Sequence, residues 1–451
     1  MKKLLKMTLL AFACFFVFGL AACGDSSENE TTEYKGTMEE LLAGSDVDVK
    51  YLEYKAANDS GKIDKTGANY TITGLKDGYP LGIKIPETID GKTVIAIESS
   101  AFAITDVVLV SVPGTVKVIG NNAFSSSNLK EINFRESNGT TALTTLGKKV
   151  FTSTDLVEIT LPDTVTVIGD ELFGGSQKLK KATLPSSITK IPSKCFNNCG
   201  VFTTLEASGV TEIGEEAFRG TGLTEFVVSD SVTSIEKLAF AYCTKLTNIT
   251  LSSKVTAIKE STFDGCTSLE SIELPKSVTQ IGKYAFRNCS SLKTIKINGP
   301  LTSVVKGAFA NCLKVEELSY VANSTFAKAS DIFVNEAYPE LPTALTTLRI
   351  DGDNGFLNFD VLGTLKTVEN VYISNSRRLG GGKDDKGNLT YVITTEGTAI
   401  ENIYIEGITR AQVNTFLAND SVTIHVDVTE EQSSGFVEGW NGGANVVWKA
   451  E

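Results

Sequence analysis

The chain has 451 residues, a formal net charge of −12 and 41% hydrophobic residues. This hydrophobic content excludes a largely disordered chain. The acidic balance disfavours binding to the phosphate backbone of nucleic acids, and no basic patch in the sequence offsets it. His425 is the single histidine, so the chain has little imidazole for metal ligation or acid–base catalysis.

The N-terminus has the pattern of a secreted, lipid-anchored protein. Three lysines precede an apolar run over residues 7–20, which is too short to span a bilayer as a mature helix. The run ends in Leu20-Ala21-Ala22-Cys23, which resembles a bacterial lipobox. The resemblance implies that residues 1–22 are a signal peptide and that Cys23 is lipidated, anchoring the chain on the extracellular side of a membrane. Residues 23–36 are predicted to hold this cysteine and a flexible tether; an ordinary signal peptide is the alternative.

Residues 37–69 are predicted to form an N-terminal cap. Thr37-Met38-Glu39-Glu40 has the order of a capping box and precedes two leucines, which predicts a short helix. A cap is expected because the open end of a repeat array exposes apolar side chains and unpaired backbone groups. A small separate domain is the alternative.

A repeat of 22 or 23 residues begins at about residue 70. Each unit contains a phenylalanine, and successive phenylalanines are 22 or 23 residues apart except before Phe151, where an insertion lengthens the gap to 27. Leu-x-x-Ile-x-Leu-Pro, as at 269–275, alternates like a strand. Ser-Val-Thr-x-Ile-Gly-x-x-Ala-Phe, as at 277–286, predicts a second short strand and then a single helical turn or loop. The repeated phenylalanines are Phe102, Phe124, Phe151, Phe173, Phe196, Phe218, Phe240, Phe263, Phe286 and Phe309.

These patterns resemble the BspA-like leucine-rich-repeat family of bacterial surface proteins, most clearly at 246–266, 269–289 and 292–312. Periods of 20 to 29 residues are typical of leucine-rich solenoids. The predicted fold over residues 70–320 is therefore a β-rich repeat solenoid with short strands and single helical turns. One unit cannot bury its own apolar side chains, whereas stacked units form a continuous core.

The repeat becomes irregular after residue 320 without stopping. Strand-like segments continue, and residues 368–373 and 400–405 are near copies of each other. Residues 321–451 are therefore predicted to be divergent repeats that end in a cap around 439–442. An independent β-sandwich from about residue 351 is the alternative.

Five cysteines occupy one position of the repeat, three residues after the phenylalanine. Other units have serine or threonine there, so the position favours a small, partly buried side chain. We interpret the five as reduced structural cysteines; disulfides between neighbouring units are the alternative, which a secreted location permits. A zinc site at Cys195 and Cys199 would lack the usual Cys-x-x-Cys spacing. The five are Cys199, Cys243, Cys266, Cys289 and Cys312.

No motif in the sequence indicates catalysis or a cofactor. Residues 351–355 are rich in Asp, Asn and Gly but lack the spacing of an EF-hand calcium loop. Residues 380–388 lack the Ser or Thr of a phosphate-binding loop, and no nucleophile elbow accompanies His425. The sequence therefore predicts a protein that is not an enzyme and holds no metal or cofactor. Hydrolysis by a carboxylate pair is the alternative.

The alternating strand pattern directs polar side chains outward from successive units. A broad polar face with few aromatic residues suits a protein or glycan better than an apolar cofactor. The family resemblance implies adhesion to host or neighbouring-cell proteins, which predicts a lipid-anchored surface protein that binds a macromolecule. The alternatives are a structural, envelope-organising lipoprotein and a solute-binding lipoprotein of a transporter. The candidate ligand-binding residues are Glu158, Thr160, Lys181, Thr183, Asn248, Thr250, Ser271, Glu273, Thr294 and Lys296.

Overall fold

The computed structural model describes most of the chain between residues 36 and 448. Gly36–Glu451 forms one compact unit. The predicted signal peptide, Cys23 and all of the predicted tether except Gly36 lie outside the described residues. The described residues are 36–46, 49–321, 332–334, 336–351, 356–357, 367–374, 378–379, 393–394, 399–406, 416–417, 422–427, 441 and 444–448.

The fold is a β-solenoid of about 13 turns, which confirms the predicted fold class. Each regular turn of the chain contributes one strand to each of two parallel ladders and then a turn segment that carries the repeated phenylalanine. The strands are short because each apolar pattern extends over only a few residues. In several units a proline or glycine follows the pattern, as Pro275 and Gly282 do.

Ladder A is formed by the Leu-x-x-Ile-x-Leu patterns and their divergent successors. Its strands are β3 (Gly82–Lys84), β6 (Leu109–Val112), β8 (Glu131–Phe134), β10 (Glu158–Thr160), β12 (Lys181–Thr183), β14 (Thr204–Glu206), β16 (Glu225–Val227), β18 (Asn248–Thr250), β20 (Ser271–Leu274), β22 (Thr294–Ile297), β24 (Glu317–Val321), β25 (Thr347–Asp351), β27 (Asn370–Ser374), β30 (Asn402–Ile405), β32 (Thr423–Val426) and β33 (Asn445–Trp448).

Ladder B is formed by the Val-x-x-Ile patterns. Its strands are β5 (Lys92–Ile97), β7 (Val118–Ile119), β9 (Thr145–Leu146), β11 (Val167–Ile168), β13 (Lys190–Ile191), β15 (Glu212–Ile213), β17 (Ser234–Ile235), β19 (Ala257–Ile258), β21 (Gln280–Ile281) and β23 (Ser303–Val304). Two further parallel pairs follow, β26 (Phe356–Leu357) with β28 (Arg378–Leu379) and β29 (Ile393–Thr394) with β31 (Phe416–Leu417).

A helix, a 3₁₀ turn and three further strands lie at the N-terminal end of the ladders. Helix α1 (Met38–Ala43) contacts β3 and β6 of ladder A, and the predicted capping box is confirmed because Thr37 and Glu40 bond each other's backbone N–H. A 3₁₀ turn (Val49–Tyr51) leads into β1 (Leu52–Ala57), which pairs antiparallel with β2 (Asn69–Leu75). Strand β2 pairs in parallel with β5, which also pairs with the short antiparallel strand β4 (Thr88–Ile89).

Ladder A continues without interruption past residue 320. Strands β20, β22, β24, β25, β27, β30, β32 and β33 form one parallel sheet in that order. Within it Leu318 pairs with Leu348, and Leu348 with Val371, each fully buried. The described segments after residue 320 therefore extend the same sheet and core.

The repeated phenylalanines form a continuous stack inside the solenoid. All ten, from Phe102 to Phe309, have no exposed surface. The ring centroids of successive members are 4.7–5.7 Å apart, and their planes are within 16° of parallel. Burial of each ring contributes about 2–3 kcal/mol, so this stack is a main source of stability.

The segment around each phenylalanine is a series of turns, which agrees with the loop and not with the helical turn among the two predicted alternatives. Around Phe124, for example, Asn122 and Ser126 have φ angles of 56° and 57°, in the left-handed region that a right-handed helix excludes. The backbone N–H of Phe124 donates to the carbonyl of Val150 in the next turn of the solenoid. Backbone hydrogen bonds between neighbouring units therefore take the place of the hydrogen bonds that a helix would make within one unit.

Candidate functional site

The outward side of ladder A carries two parallel columns of mostly polar side chains, with Val227 and Val447 as exposed apolar members. In β20 and β22, Ser271 is opposite Thr294 and Glu273 is opposite Lys296. Residues at the first of these positions form outer column 1, and those two residues later form outer column 2. All ten sequence-predicted residues lie in these columns and are exposed or half-buried. Their role in binding stays a prediction.

Ion pairs connect neighbouring units across this face. The Lys181 ammonium is 2.7 Å from a carboxylate oxygen of Glu206, and the Lys296 ammonium is 2.9 Å from that of Glu273. Hydrogen bonds from these lysines lower the pKa values of Glu206 and Glu273. Arg349 Nε lies 2.7 Å from Glu317 in the same way. These pairs are largely solvated, so they organise the surface more than they stabilise the fold.

The C-terminal part of outer column 2 is a stack of planar side chains. The Arg349 guanidinium carbon lies 3.9 Å from the centroid of the Tyr372 ring. The Tyr372 and Tyr404 centroids are 4.5 Å apart with planes at 8°, and Tyr404 and His425 are 4.6 Å apart at 10°. We call these four residues the outer stack. The expectation of few aromatic residues is therefore wrong for this part of the face.

The signal for the outer stack was present in the sequence. The near copies 368–373 and 400–405 place Tyr372 and Tyr404 at the same position of their strands, and the strands pair in that register. His425 is half-buried, because its ring packs against Tyr404.

Amide side chains lie beside the outer stack in outer column 1. Asn402 donates from Nδ2 to Asn370 Oδ1 at 3.2 Å. Asn402 Oδ1 is 3.4 Å from His425 Nε2, which links the two columns. This part of the face therefore combines amide groups, phenol hydroxyls and an imidazole.

A groove of about 250 Å³ runs along outer column 2 at the carboxyl ends of β20 to β30. Lys276 and Lys296 line it at the end nearer β20, and Asp351 and Glu406 line it toward β30. Arg349 lies between these ends. The remaining lining residues are Ile297, Asn298, Ser319, Tyr320, Val321, Ile350, Tyr372, Ile373, Ser374 and Tyr404.

Helix α1 limits the accessible face at the N-terminal end. Lys84 on β3 donates to the carbonyls of Leu42 and Gly44 at 3.0 and 2.7 Å, at the end of the helix. Asp46 then pairs with Arg135 at 3.6 Å. Every residue of β6 is buried, whereas β10 exposes Glu158 and Thr160. The open face therefore begins beyond β6.

The repeat cysteines belong to the core. The six described cysteines are free and buried. The Sγ of Cys243, for example, donates to the carbonyl of Phe218 in the preceding unit at 3.1 Å, and Ser176 makes the equivalent bond to Phe151 at 2.7 Å. This shared hydrogen bond explains why either cysteine or serine can occupy the position. Burial raises the pKa of Cys243 to about 11 and that of Cys199 to about 12, so both are thiols at neutral pH.

The described residues show neither a metal cluster nor a membrane-spanning helix. Among them, no three or more His, Cys, Asp and Glu side chains are grouped to hold a metal ion. No helix in this part of the chain has the length and apolar character needed to cross a membrane.

Comparison with known proteins identifies the repeat. Residues 144–226 and 211–337 match the model of the BspA type leucine-rich repeat region, in 6 copies. No curated protein matches the sequence. A leucine-rich cell surface protein from Faecalibacterium prausnitzii is 23% identical, with 79% of this chain and 93% of that chain covered and a TM-score of 0.45.

Two other solved structures have similar sequence identities and TM-scores. A leucine-rich repeat protein from Eubacterium ventriosum is 22% identical, covering 62% of this chain and 82% of its own, with a TM-score of 0.41. The pneumococcal vaccine antigen PcpA is 19% identical, covering 90% and 99%, with a TM-score of 0.40. The residues that match the BspA type leucine-rich repeat region, 144–337, are also residues of the parallel ladders and the phenylalanine stack.

Proposed function

We propose that this protein is a non-enzymatic cell-surface protein that binds a macromolecular partner on the outward face of ladder A. The observation that supports this function is the open polar face itself, whose columns of side chains are in register within β10–β14, within β16–β18 and from β20 to β33. Strands about 4.8 Å apart repeat these columns over a long surface. Macromolecular partners need contact areas of this kind, of about 800 Å² on each side.

The side chains on this face suit recognition by contact. The tyrosine hydroxyls, amides and exposed ion pairs offer many hydrogen-bonding groups on one surface. The adhesion role comes from the resemblance of the repeat to BspA-like surface proteins. The lysine-rich start and the sequence Leu20-Ala21-Ala22-Cys23 support export and lipid anchoring at Cys23. A lipid anchor would hold the solenoid at the membrane surface.

The anchor is tested by metabolic labelling with an alkyne fatty acid in the producing cells. We expect the wild-type protein to incorporate the label and to partition into detergent, and Cys23→Ala to lose both properties. An unlabelled wild-type protein would exclude lipidation and leave an ordinary signal peptide.

The binding face is tested by capturing partners on the protein without its signal peptide. Immobilised residues 24–451 are exposed separately to host matrix proteins, purified wall polymer and an extract of the producing cells. Thr250→Arg places a bulky charge on the outward face, and Thr256→Arg makes the same change next to ladder B, where Thr256 is also exposed. We expect Thr250→Arg alone to reduce capture. Capture of self partners only would favour the envelope-organising function. If both variants reduced capture equally, the partner would not bind specifically on the outward face of ladder A.

A further inference from the structure

We propose that the groove beside the outer stack binds an extended polypeptide segment of about seven residues, acidic at one end and basic at the other. This inference rests on the proposed binding function of the ladder A face and assigns a ligand class to one part of it. Three properties of the groove carry it: the orientation of the aromatic rings, the distribution of charge and the length.

The orientation of the rings disfavours a glycan. Sugars bind aromatic side chains mainly across the ring faces, but both faces of Tyr404 are covered by Tyr372 and His425 at 4.5 and 4.6 Å. The faces of Tyr372 are likewise covered by Tyr404 and Arg349. Only ring edges and hydroxyl groups remain for a ligand. Aromatic edges are electropositive, so they attract the carbonyl oxygens that every peptide unit presents.

The charge of the groove changes sign along its length. Lys276 and Lys296 line the end nearer β20, Arg349 and Asp351 lie on β25 in the middle, and Glu406 lines the end nearer β30. Glu273 and Glu317, which pair with Lys296 and Arg349, do not line the groove. A ligand of one sign would be attracted at one end and repelled at the other. A segment with carboxylates at one end and ammonium or guanidinium groups at the other matches both ends.

The length of the groove fits a short extended chain. Lys276 follows β20 and Glu406 follows β30, and five strand-to-strand steps separate these strands. At about 4.8 Å per step this is roughly 24 Å, which an extended chain spans in about seven residues. The peptide groups of such a segment need hydrogen-bond partners, and the groove supplies Asn298, Ser319 and Ser374 along its walls.

The test uses fluorescein-labelled octapeptides and the full chain without its signal peptide. One peptide has two glutamates at one end and two lysines at the other, separated by Ser and Gly. A second has the same composition with alternating charges, and a third carries only the glutamates. We expect the segregated peptide to bind at least tenfold more tightly than the alternating one. Equal affinities of these two, or no binding of either, overturn the inference.

A charge reversal in the groove gives the matched control. In Glu406→Lys the groove is basic at both ends, so the segregated peptide should bind at least tenfold more weakly and the acidic peptide more tightly than to the wild type. Glu401→Lys makes the same change on the same unit at an exposed position outside the groove, and affinity should stay within twofold. Similar losses in both variants would show attraction by overall charge only and would overturn the proposed site.

A glycan probe separates this inference from the proposed function. Cellohexaose and chitohexaose should not displace the segregated peptide. Displacement by either sugar overturns the peptide class while leaving partner binding on the face intact. If Thr250→Arg blocks capture of a partner but no octapeptide binds, the proposed function stands and the inference about the groove falls.

Discussion

The regular array has its aromatic stack in the buried core, whereas the C-terminal part of ladder A has its aromatic stack on the outward surface. From Phe102 to Phe309 the stack is inside, with no exposed surface. From Arg349 to His425 it is outside, on the polar face, and the core beneath it is aliphatic, as at Leu348, Val371 and Ile403. The same close spacing of units brings successive rings together in both regions.

The residue types explain the difference between the stacks. Phenylalanine has no polar atom, so a buried column of Phe leaves no hydrogen-bonding group without a partner. Tyrosine, histidine and arginine combine a planar body with a polar tip that stays in water. The inner stack therefore serves mainly stability, and the outer stack keeps its hydroxyls available to a partner.

The largest expected effect is the loss of a ring from the inner stack. Phe240 contacts Phe218 and Phe263 at 5.2 and 5.5 Å, and Phe240→Ala should leave a cavity and reduce the free energy of unfolding by about 3–5 kcal/mol. Denaturant unfolding measures this change. An unchanged melting temperature would contradict the stabilising role of the stack.

A smaller, stabilising effect is expected where the regular array has a packing defect. Ala207 follows β14 at the position that Leu184 occupies after β12, and it lines an apolar cavity of about 80 Å³ with Leu205, Phe226 and Val228. Ala207→Leu should fill part of this space and stabilise the fold by about 1 kcal/mol.

The matched control for this change is Ala182→Leu. Ala182 is fully buried and does not line the cavity, so a larger side chain there should destabilise by about 1–3 kcal/mol. Thermal unfolding of both variants measures the contrast. Destabilisation by Ala207→Leu would show that the cavity cannot accept a side chain.

Removing a ring from the outer stack should affect stability less than removing Phe240. Tyr404 is half-buried and packs between two rings, so Tyr404→Ala should lose about 1–2 kcal/mol. The same variant should weaken binding of the segregated octapeptide at least fivefold. A stability loss equal to that of Phe240→Ala would remove the distinction between the two stacks.

The smallest effect at neutral pH is expected at the cysteine position. Cys243→Ser retains a donor to the carbonyl of Phe218, as Ser176 does for Phe151, and should change stability at pH 7 by about 1 kcal/mol or less. Thiol titration of the denatured wild-type protein should count the same number of thiols with and without prior reduction, because the repeat cysteines form no disulfides.

The alkaline limb of the stability profile gives a second measurement on this variant. Burial raises the pKa of Cys243 from 9.0 to about 11, so between these values the folded state holds a proton that the unfolded state has lost. Wild-type stability should therefore fall as pH rises from 9 to 11. Cys243→Ser lacks this titration, so its free energy of unfolding should fall less steeply. If the free energy of unfolding of wild type and of Cys243→Ser fell equally between pH 9 and 11, the raised pKa of Cys243 would be contradicted.

Much of the fold followed from local pattern. The spacing of Phe102 to Phe309 gave the unit length, and alternation in segments such as 269–275 gave strands with the correct outward residues. The segment around each phenylalanine was predicted only as a helical turn or loop, because its left-handed residues include Asn122, Lys149 and Leu238, side chains without a shared turn signal. They adopt this conformation because backbone bonds to the next unit stabilise it.

The candidate site was predicted less completely. The ten outward residues could be chosen from strand alternation, and the near copies 368–373 and 400–405 align Tyr372 with Tyr404. His425 follows Tyr404 by 21 residues and Tyr404 follows Tyr372 by 32, so the period alone does not place His425 in the same column. The burial of β6 under α1 also had no local signal, because it depends on Lys84 and Arg135 meeting the end of a helix about 40 or more residues earlier.

The sequence by itself determined the repeat, the inner phenylalanine stack and the polar character of the outward face. These properties depend on period and side-chain polarity, which a single unit already contains. Only the tertiary structure decided which outward residues touch, where the face is covered and how charge is arranged along the groove. Those features depend on the register between units, which hydrogen bonding sets across gaps of different length.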